Sequence, residues 1–139
     1  MTHTVQVKRR YAHSPEQVFD AWLTPAQAGK FLFATPTGTM VKAEVDARVG
    51  GGFLFVDRRD GEDIEHVGEY LVIDRPRKLV FSFAVPQFSA EKTTVSIEIT
   101  PISDGSELIL THAGVLEEYV KQTEGGWTMI LESLDKALG

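Results

Sequence analysis

Polar side chains on the apolar faces of strands are the residues of this chain best placed to do chemistry. His112 follows Leu108 and Leu110 at strand spacing, so it points to the same side as they do. His66 and Tyr70 are placed in the same way by the apolar positions of their own strand. An imidazole or phenol in an apolar interior needs a hydrogen-bond partner, because an unpaired buried group costs roughly 1–3 kcal/mol.

Two interpretations of these three groups stay open at the level of sequence. Each group could be satisfied inside the core by a backbone carbonyl, a water or another side chain. Alternatively, they are the few polar anchors of an otherwise apolar ligand site. In an enzyme, His112, His66 or Tyr70 would then serve as general acid or base. The face of His66 depends on strand register, because a bulge near Gly68 would turn it to the other side.

Aromatic residues share the same faces. Phe53 and Phe55 are two positions apart on one predicted strand, and Phe81 and Phe83 on another, so each pair points to one side. Trp127 lies on the apolar stripe of a predicted C-terminal helix. These rings either form an ordinary core or line a cavity that the helix leaves unfilled. The complete candidate ligand-binding set is Phe31, Phe53, Phe55, His66, Tyr70, Phe81, Phe83, His112 and Trp127.

Other kinds of site find little support in the sequence. The 139 residues include no cysteine, which excludes disulfide and thiolate chemistry, and the four histidines are scattered without metal-ligand spacing. Gly50–Gly52 precedes a strand rather than a helix, so it is not a phosphate loop. We therefore predict no catalytic residues, no metal and no cofactor, and a binding module rather than an enzyme.

Charge and hydropathy limit the expected partners and location. The net charge of −6 argues against nucleic-acid binding, which needs clustered Lys and Arg. No apolar run approaches the roughly 20 residues that span a membrane, and the first residues do not resemble a signal peptide. We expect a single cytoplasmic domain over residues 1–139. The sequence leaves the oligomeric state open, a homodimer included.

Periodicity and turn residues predict the elements that position these groups. Ser14–Gln17 carries the capping residues of a helix start, and Thr24–Gln27 repeats the pattern, so two short helices follow the first strand. Asp60-Gly61 and Asp104-Gly105 are hairpin turns, which makes the sheet antiparallel. Predicted strands cover Thr4–Tyr11, Met40–Asp46, Phe53–Val56, Ile64–Asp74, Lys78–Val85, Thr93–Thr100 and the region of Leu108–His112.

The C-terminus carries the one long helical stripe, with apolar residues at Trp127, Ile130, Leu131, Leu134 and Leu138. We predict an α+β fold in which a curved antiparallel sheet of six or seven strands wraps around this helix. The helical pattern begins at Leu116, and Gly125-Gly126 predicts a bend or break in it. The Leu116–Glu124 part would then be a movable lid, unless the glycines are needed for close packing.

Four segments, taken in order, resemble one known family. They are SPEQVFDAWLTP (Ser14–Pro25), RVGGGFLF (Arg48–Phe55), VGEYLVIDRPRKLVF (Val67–Phe81), and Gly126-Trp127 followed by leucines at helical spacing. No single motif is specific, but the ordered set resembles the small single-domain homologues of the activator of heat-shock-protein-90 ATPase. That group falls within the START-like helix-grip superfamily of lipid-transfer proteins and pollen allergens.

The resemblance implies a helix-grip fold with a ligand cavity between the sheet and the C-terminal helix. The chain departs from the family at two positions near the expected mouth of the cavity. Lys30–Phe33 stands where the family often has paired tryptophans, and His112–Val115 stands where it often has Gly-Phe after the histidine. The shape of the pocket is therefore not carried over from the family.

Three functions are compatible with these sequence features. The first is a binding module for a small apolar or amphipathic molecule. The second is an enzyme of the cyclase, dehydratase or hydrolase type. The third is an interaction protein that modulates a chaperone ATPase. The eukaryotic co-chaperones after which the group is named have a further N-terminal domain with no counterpart in this sequence, which argues against a chaperone partner.

Overall fold

Two short helices, seven strands and one long helix make up the fold in the computed structural model, which describes residues 2–32, 38–86 and 92–139. The predicted α+β class and order of elements are confirmed. The strands are β1 (Thr2–Tyr11), β2 (Thr39–Val45), β3 (Gly52–Arg59), β4 (Glu62–Asp74), β5 (Lys78–Phe83), β6 (Thr93–Ile102) and β7 (Gly105–Leu116). The helices are α1 (Pro15–Leu23), α2 (Pro25–Phe31) and α3 (Val120–Leu138).

The seven strands form one sheet in the order β1-β7-β6-β5-β4-β3-β2, and all neighbouring pairs are antiparallel. Its register places Tyr70, Phe81, Val95, His112 and Val5 opposite one another on successive strands. All five are buried, so this row crosses the face of the sheet that packs on the helices. The register shift in β4 lies between Tyr70 and Val72, beyond His66, so the predicted face of His66 is confirmed.

The two short helices start differently, although their sequences look alike. Ser14 and Gln17 form the predicted capping box, in which the Ser14 hydroxyl accepts from the Gln17 N–H and Gln17 Oε1 accepts from the Ser14 N–H. At the second start the Thr24 hydroxyl donates to the Asp20 carbonyl, 2.8 Å away, and makes no cap. α2 directly follows α1, so this hydroxyl satisfies a carbonyl at the end of α1 instead.

Two contacts tie α3 to the edge strand β1. The buried Tyr11 hydroxyl donates to the Leu131 carbonyl at 2.8 Å. Arg9, an exception to the apolar face of β1, reaches Asp135 of the helix at 3.0 Å and lies over the Tyr11 ring. The guanidinium of Arg9 therefore makes both contacts, an ion pair with the helix and a cation–π contact with Tyr11, whose ring centroid is 5.9 Å from Cζ.

The predicted break at Gly125-Gly126 is wrong. α3 runs without interruption from Val120 to Leu138, and a 3₁₀ turn over Glu117–Tyr119 precedes it. Helical periodicity from Leu116 misled the prediction, since β7 extends to that residue. The alternative of close packing is wrong as well, because a methyl group added at either glycine would meet no heavy atom within 4 Å.

Replacing either helix glycine by alanine should therefore stabilise the protein by roughly 1 kcal/mol, the amount by which glycine is worse than alanine inside a helix. Gly68→Ala is the matched contrast, because a Cβ there would overlap the Ser82 carbonyl oxygen and the Phe53 ring. We expect that variant to lose about 3 kcal/mol, at the upper end of the usual cost of overpacking. Urea unfolding measures all three changes. A less stable Gly125→Ala or Gly126→Ala protein would contradict the open surroundings of the helix glycines.

Candidate ligand-binding site

Four of the predicted residues form a tightly packed aromatic cluster on the concave face of the sheet. The Phe53 ring centroid lies 5.7 Å from Phe55, 5.7 Å from Tyr70 and 5.3 Å from Phe81. None of the four is more than 6% exposed. These distances are those of stable aromatic pairs, and Phe53 meets Phe81 edge-to-face. This group, the inner cluster, is therefore a rigid base for whatever lies beside it.

The other rings surround Phe83 at the end of β5. His66 of β4 is parallel to the Phe83 ring at 6.1 Å, while His112 of β7 and Trp127 of α3 meet it edge-on at 5.8 and 6.4 Å. We call these four residues the Phe83 box. His66, His112 and Trp127 are buried, whereas Phe83 is partly exposed. The box therefore joins the interior to the surface.

His112 is held by a chain of hydrogen bonds that fixes its tautomer. Trp127 Nε1 is a donor only, so His112 Nδ1, 3.0 Å away, must accept from it. The proton of the neutral ring is then on Nε2, which donates to Thr93 Oγ1 at 2.6 Å. The Thr93 hydroxyl in turn donates to the Phe83 carbonyl at 3.1 Å. Both ring nitrogens of His112 have hydrogen-bond partners within the protein, as expected if the histidine is satisfied inside the core.

Both histidines of the Phe83 box are neutral at physiological pH. Burial lowers the pKa of His66 to about 4, with the nearby Arg59 lowering it further and the Phe55 carbonyl and Asp57 opposing. Burial likewise lowers the pKa of His112 to about 4. A proton added to His112 Nδ1 would also face the Trp127 N–H donor. Since neither ring carries a charge, the box offers aromatic surface and neutral polar atoms.

A buried ion pair adjoins His66 on the concave side. Asp57 of β3 is fully buried, and its Oδ2 is 2.6 Å from Arg59 Nε on the same strand. His66 Nδ1 donates to the Phe55 carbonyl across the β3–β4 pairing, at 3.3 Å. Asp57 lies beyond the predicted strand Phe53–Val56, but the observed strand continues to Arg59, and the alternation from Phe53 and Phe55 then puts Asp57 on the concave face.

Tyr70 is poorly suited to proton transfer. Its pKa is raised above the ordinary value, first by burial and then by the Asp46 carboxylate. A phenol with a raised pKa gives up its proton less readily, so little phenolate is present to act as a base. The Tyr70 ring packs against Phe53 and Phe81 in the inner cluster. Its contribution is to the shape of the interior.

The helical side of the site contains a tryptophan, Trp22, that is not among the predicted ligand-binding residues. Trp22 of α1 lies edge-to-face on Phe31 of α2, with ring centroids 5.2 Å apart, and 6.5 Å from Trp127 of α3. Phe31 thus joins the predicted set through its ring contact with Trp22. Trp22 is 1% exposed, and its indole N–H has no hydrogen-bond partner among the described residues. No sequence pattern marks such an unpaired group.

The nine predicted residues are thus arranged as an inner cluster, the Phe83 box and a tryptophan row leading to Phe31. The enclosed cavity predicted between these rings and α3 stays a prediction. Within residues 2–32, 38–86 and 92–139, no group of three or more potential metal ligands occurs. None of the described helices is long and apolar enough to cross a membrane.

The chain is similar to one known protein family and to several solved structures. The family model described as activator of Hsp90 ATPase homolog 1-like protein matches residues 12–139. Protein CV1439 from Chromobacterium violaceum is 23% identical with a TM-score of 0.89, covering 97% of this chain and 96% of its own. Protein SA2116 from Staphylococcus aureus, titled as of unknown function, is 16% identical with a TM-score of 0.88, covering 99% and 94%. No match was found among curated proteins.

An AHSA1-like protein from Aeromonas hydrophila is 17% identical with a TM-score of 0.85, covering 98% of this chain and 92% of its own. At 16–23% identity, these three structures show the fold alone. The family model, in contrast, spans nearly the whole chain and agrees with the observed order of elements. The chain therefore belongs to the activator of Hsp90 ATPase homolog 1-like family and has the helix-grip fold.

Proposed function

We propose that this protein binds one small apolar or amphipathic molecule between its sheet and α3, with the Phe83 box as the point of contact. The observation that carries the proposal is the arrangement of three buried rings from β4, β7 and α3 around a partly exposed phenylalanine. Aromatic surface with a few neutral polar groups is typical of small-molecule sites.

The electrostatics of the Phe83 box suit a ligand whose contacting surface is uncharged or weakly polar. His66 and His112 are neutral above about pH 4. The nearest buried carboxylate, Asp57, is paired with Arg59. A ligand that enters such surroundings gains mainly by burying apolar area, at roughly 25 cal/mol per Å².

At His112 the geometry favours binding over acid–base catalysis. A general base needs a lone pair within reach of a substrate proton. The Nδ1 lone pair of His112 is taken by Trp127, and its Nε2 proton is directed to Thr93. Modulation of a chaperone ATPase stays a separate prediction, which a partner-dependent rate change without any ligand would support.

Binding of the uncharged dye N-phenyl-1-naphthylamine tests the proposal. We expect a saturable rise in dye fluorescence with the wild type and about tenfold weaker binding by Phe83→Ser, which loses an aromatic contact and its buried area. Val72→Ser is the matched control, because Val72 is 39% exposed and lies outside both aromatic groups. Equal affinities for the wild type and Phe83→Ser, with both folded by circular dichroism, would contradict the site.

A further inference from the structure

The indole N–H of Trp22 is an unpaired hydrogen-bond donor in the interior. Trp22 is 1% exposed, and among the described residues its Nε1 has no acceptor. Buried polar groups in native proteins nearly always have a partner, so each exception calls for an explanation. The neighbouring Trp127 shows the usual case, since its own N–H donates to His112 at 3.0 Å.

The position of Trp22 connects this donor to the proposed ligand site. Its ring centroid is 6.5 Å from that of Trp127, and Trp127 is in turn 6.4 Å from Phe83. Trp127 thus lies between Phe83 and Trp22. A ligand of modest length that lies along Trp127 could reach both, with its apolar body against Phe83 and one polar atom at Trp22.

The charges of the interior decide which kind of polar atom fits. The buried polar and charged residues among those described are Asp57, His66, Ser106 and His112, and none of them is a cation at neutral pH. Arg59, which is only partly buried, is committed to Asp57. A carboxylate or phosphate next to Trp22 would therefore lose its hydration without gaining a countercharge, which is strongly unfavourable.

From these observations we infer that Trp22 Nε1–H donates to a neutral oxygen acceptor of the bound molecule, such as a ketone, ester or amide carbonyl. This inference rests on the proposed function and narrows its ligand class to uncharged molecules with an apolar body and a carbonyl-type oxygen. A single N–H bond to oxygen, made where water is excluded, distinguishes such a molecule from a hydrocarbon of the same length.

Three probes with eleven carbons each test the inference: undecane, 2-undecanone and undecanoate. Their dissociation constants are measured at pH 8 by displacement of N-phenyl-1-naphthylamine. For the wild type we expect 2-undecanone to bind about tenfold more tightly than undecane, as one additional hydrogen bond to a previously unpaired donor implies. Undecanoate should bind more weakly than either. Tightest binding by undecanoate would overturn the argument from charge.

The Trp22→Phe variant keeps an aromatic ring and removes the donor. We expect it to bind 2-undecanone more weakly than undecane, because the ketone oxygen would then be buried without a hydrogen-bond donor. A preference for the ketone that persists in Trp22→Phe would overturn the inference. Failure of all three probes to bind the wild type would contradict the proposed function itself, whereas equal binding of alkane and ketone by the wild type contradicts only the role of Trp22.

Nuclear magnetic resonance of the wild type gives a second readout that does not depend on the variant folding. The chain has two tryptophans, hence two indole N–H cross-peaks, and the Trp127 N–H already donates to His112. Titration with 2-undecanone should move the Trp22 proton downfield, as a new hydrogen bond requires, and undecane should not. A Trp22 peak that is already downfield and unmoved by the ketone would show a permanent partner, such as a buried water, and would overturn the inference.

Discussion

Acidification from pH 6.5 to about pH 4 should destabilise the folded protein by about 3 kcal/mol for each of the buried histidines His66 and His112. Burial lowers both pKa values in the folded state. Between these two pH values the unfolded chain binds a proton at each histidine and the folded protein does not. Stability is therefore fully present above pH 6.5 and is lost progressively as the pH falls to about 4.

Urea unfolding at several pH values measures this dependence, and His112→Asn isolates the part due to His112. Asparagine does not titrate, and its side-chain oxygen can accept from Trp127 in place of Nδ1. Because carboxylates also titrate at acidic pH, the informative quantity is the difference between the wild type and the variant. We expect the variant to show about half of the pH-dependent loss of stability that the two histidines cause in the wild type. If the free energy of unfolding depends on pH in the same way in the two proteins, His112 is not buried in its neutral form.

The second large effect should come from His112→Phe, which we expect to lower the free energy of unfolding by about 2–3 kcal/mol. The new ring resembles imidazole in shape but leaves the buried Trp127 N–H without an acceptor. Thr93 loses the donor at 2.6 Å but keeps its own bond to the Phe83 carbonyl, so most of the cost should come from the indole.

A double-mutant cycle with Trp127→Phe separates this bond from general packing. If the Trp127–His112 hydrogen bond carries the effect, the two substitutions should show a coupling energy of about 1–3 kcal/mol. His112→Asn should restore part of the stability lost in His112→Phe. Full additivity of the two substitutions, with no rescue by asparagine, would indicate that the bond contributes little to stability.

The face of each strand was predictable because burial follows the two-residue period of a strand. The alternation of Leu108, Leu110 and His112 required only that one face be buried, and all three are at most 5% exposed. The capping box at Ser14 was predictable for a similar reason, since both of its hydrogen bonds are local. Periodicity and local hydrogen bonding were therefore enough to predict the architecture and which aromatic residues face the interior.

The hydrogen-bond partners were not predictable, because they depend on which elements meet in space. Thr93 is 19 residues from His112 in the chain. Their side chains meet, with Thr93 Oγ1 2.6 Å from His112 Nε2, because β6 pairs with β7. The unpaired N–H of Trp22 depends on three helices at once. The continuity of α3 through Gly125-Gly126 was mispredicted because glycine propensity is a small local term that tertiary context overrides.

The most direct test of the central claim, that the interior binds one small apolar molecule, combines two measurements on the wild type. N-phenyl-1-naphthylamine is titrated to saturation, and urea unfolding is repeated at the same dye concentrations. We predict one dye per protein and an increase in the free energy of unfolding that follows the measured dissociation constant, about 2.7 kcal/mol at a hundredfold excess over it. Binding that does not saturate, or a protein that is no more stable with the dye bound, would contradict the claim.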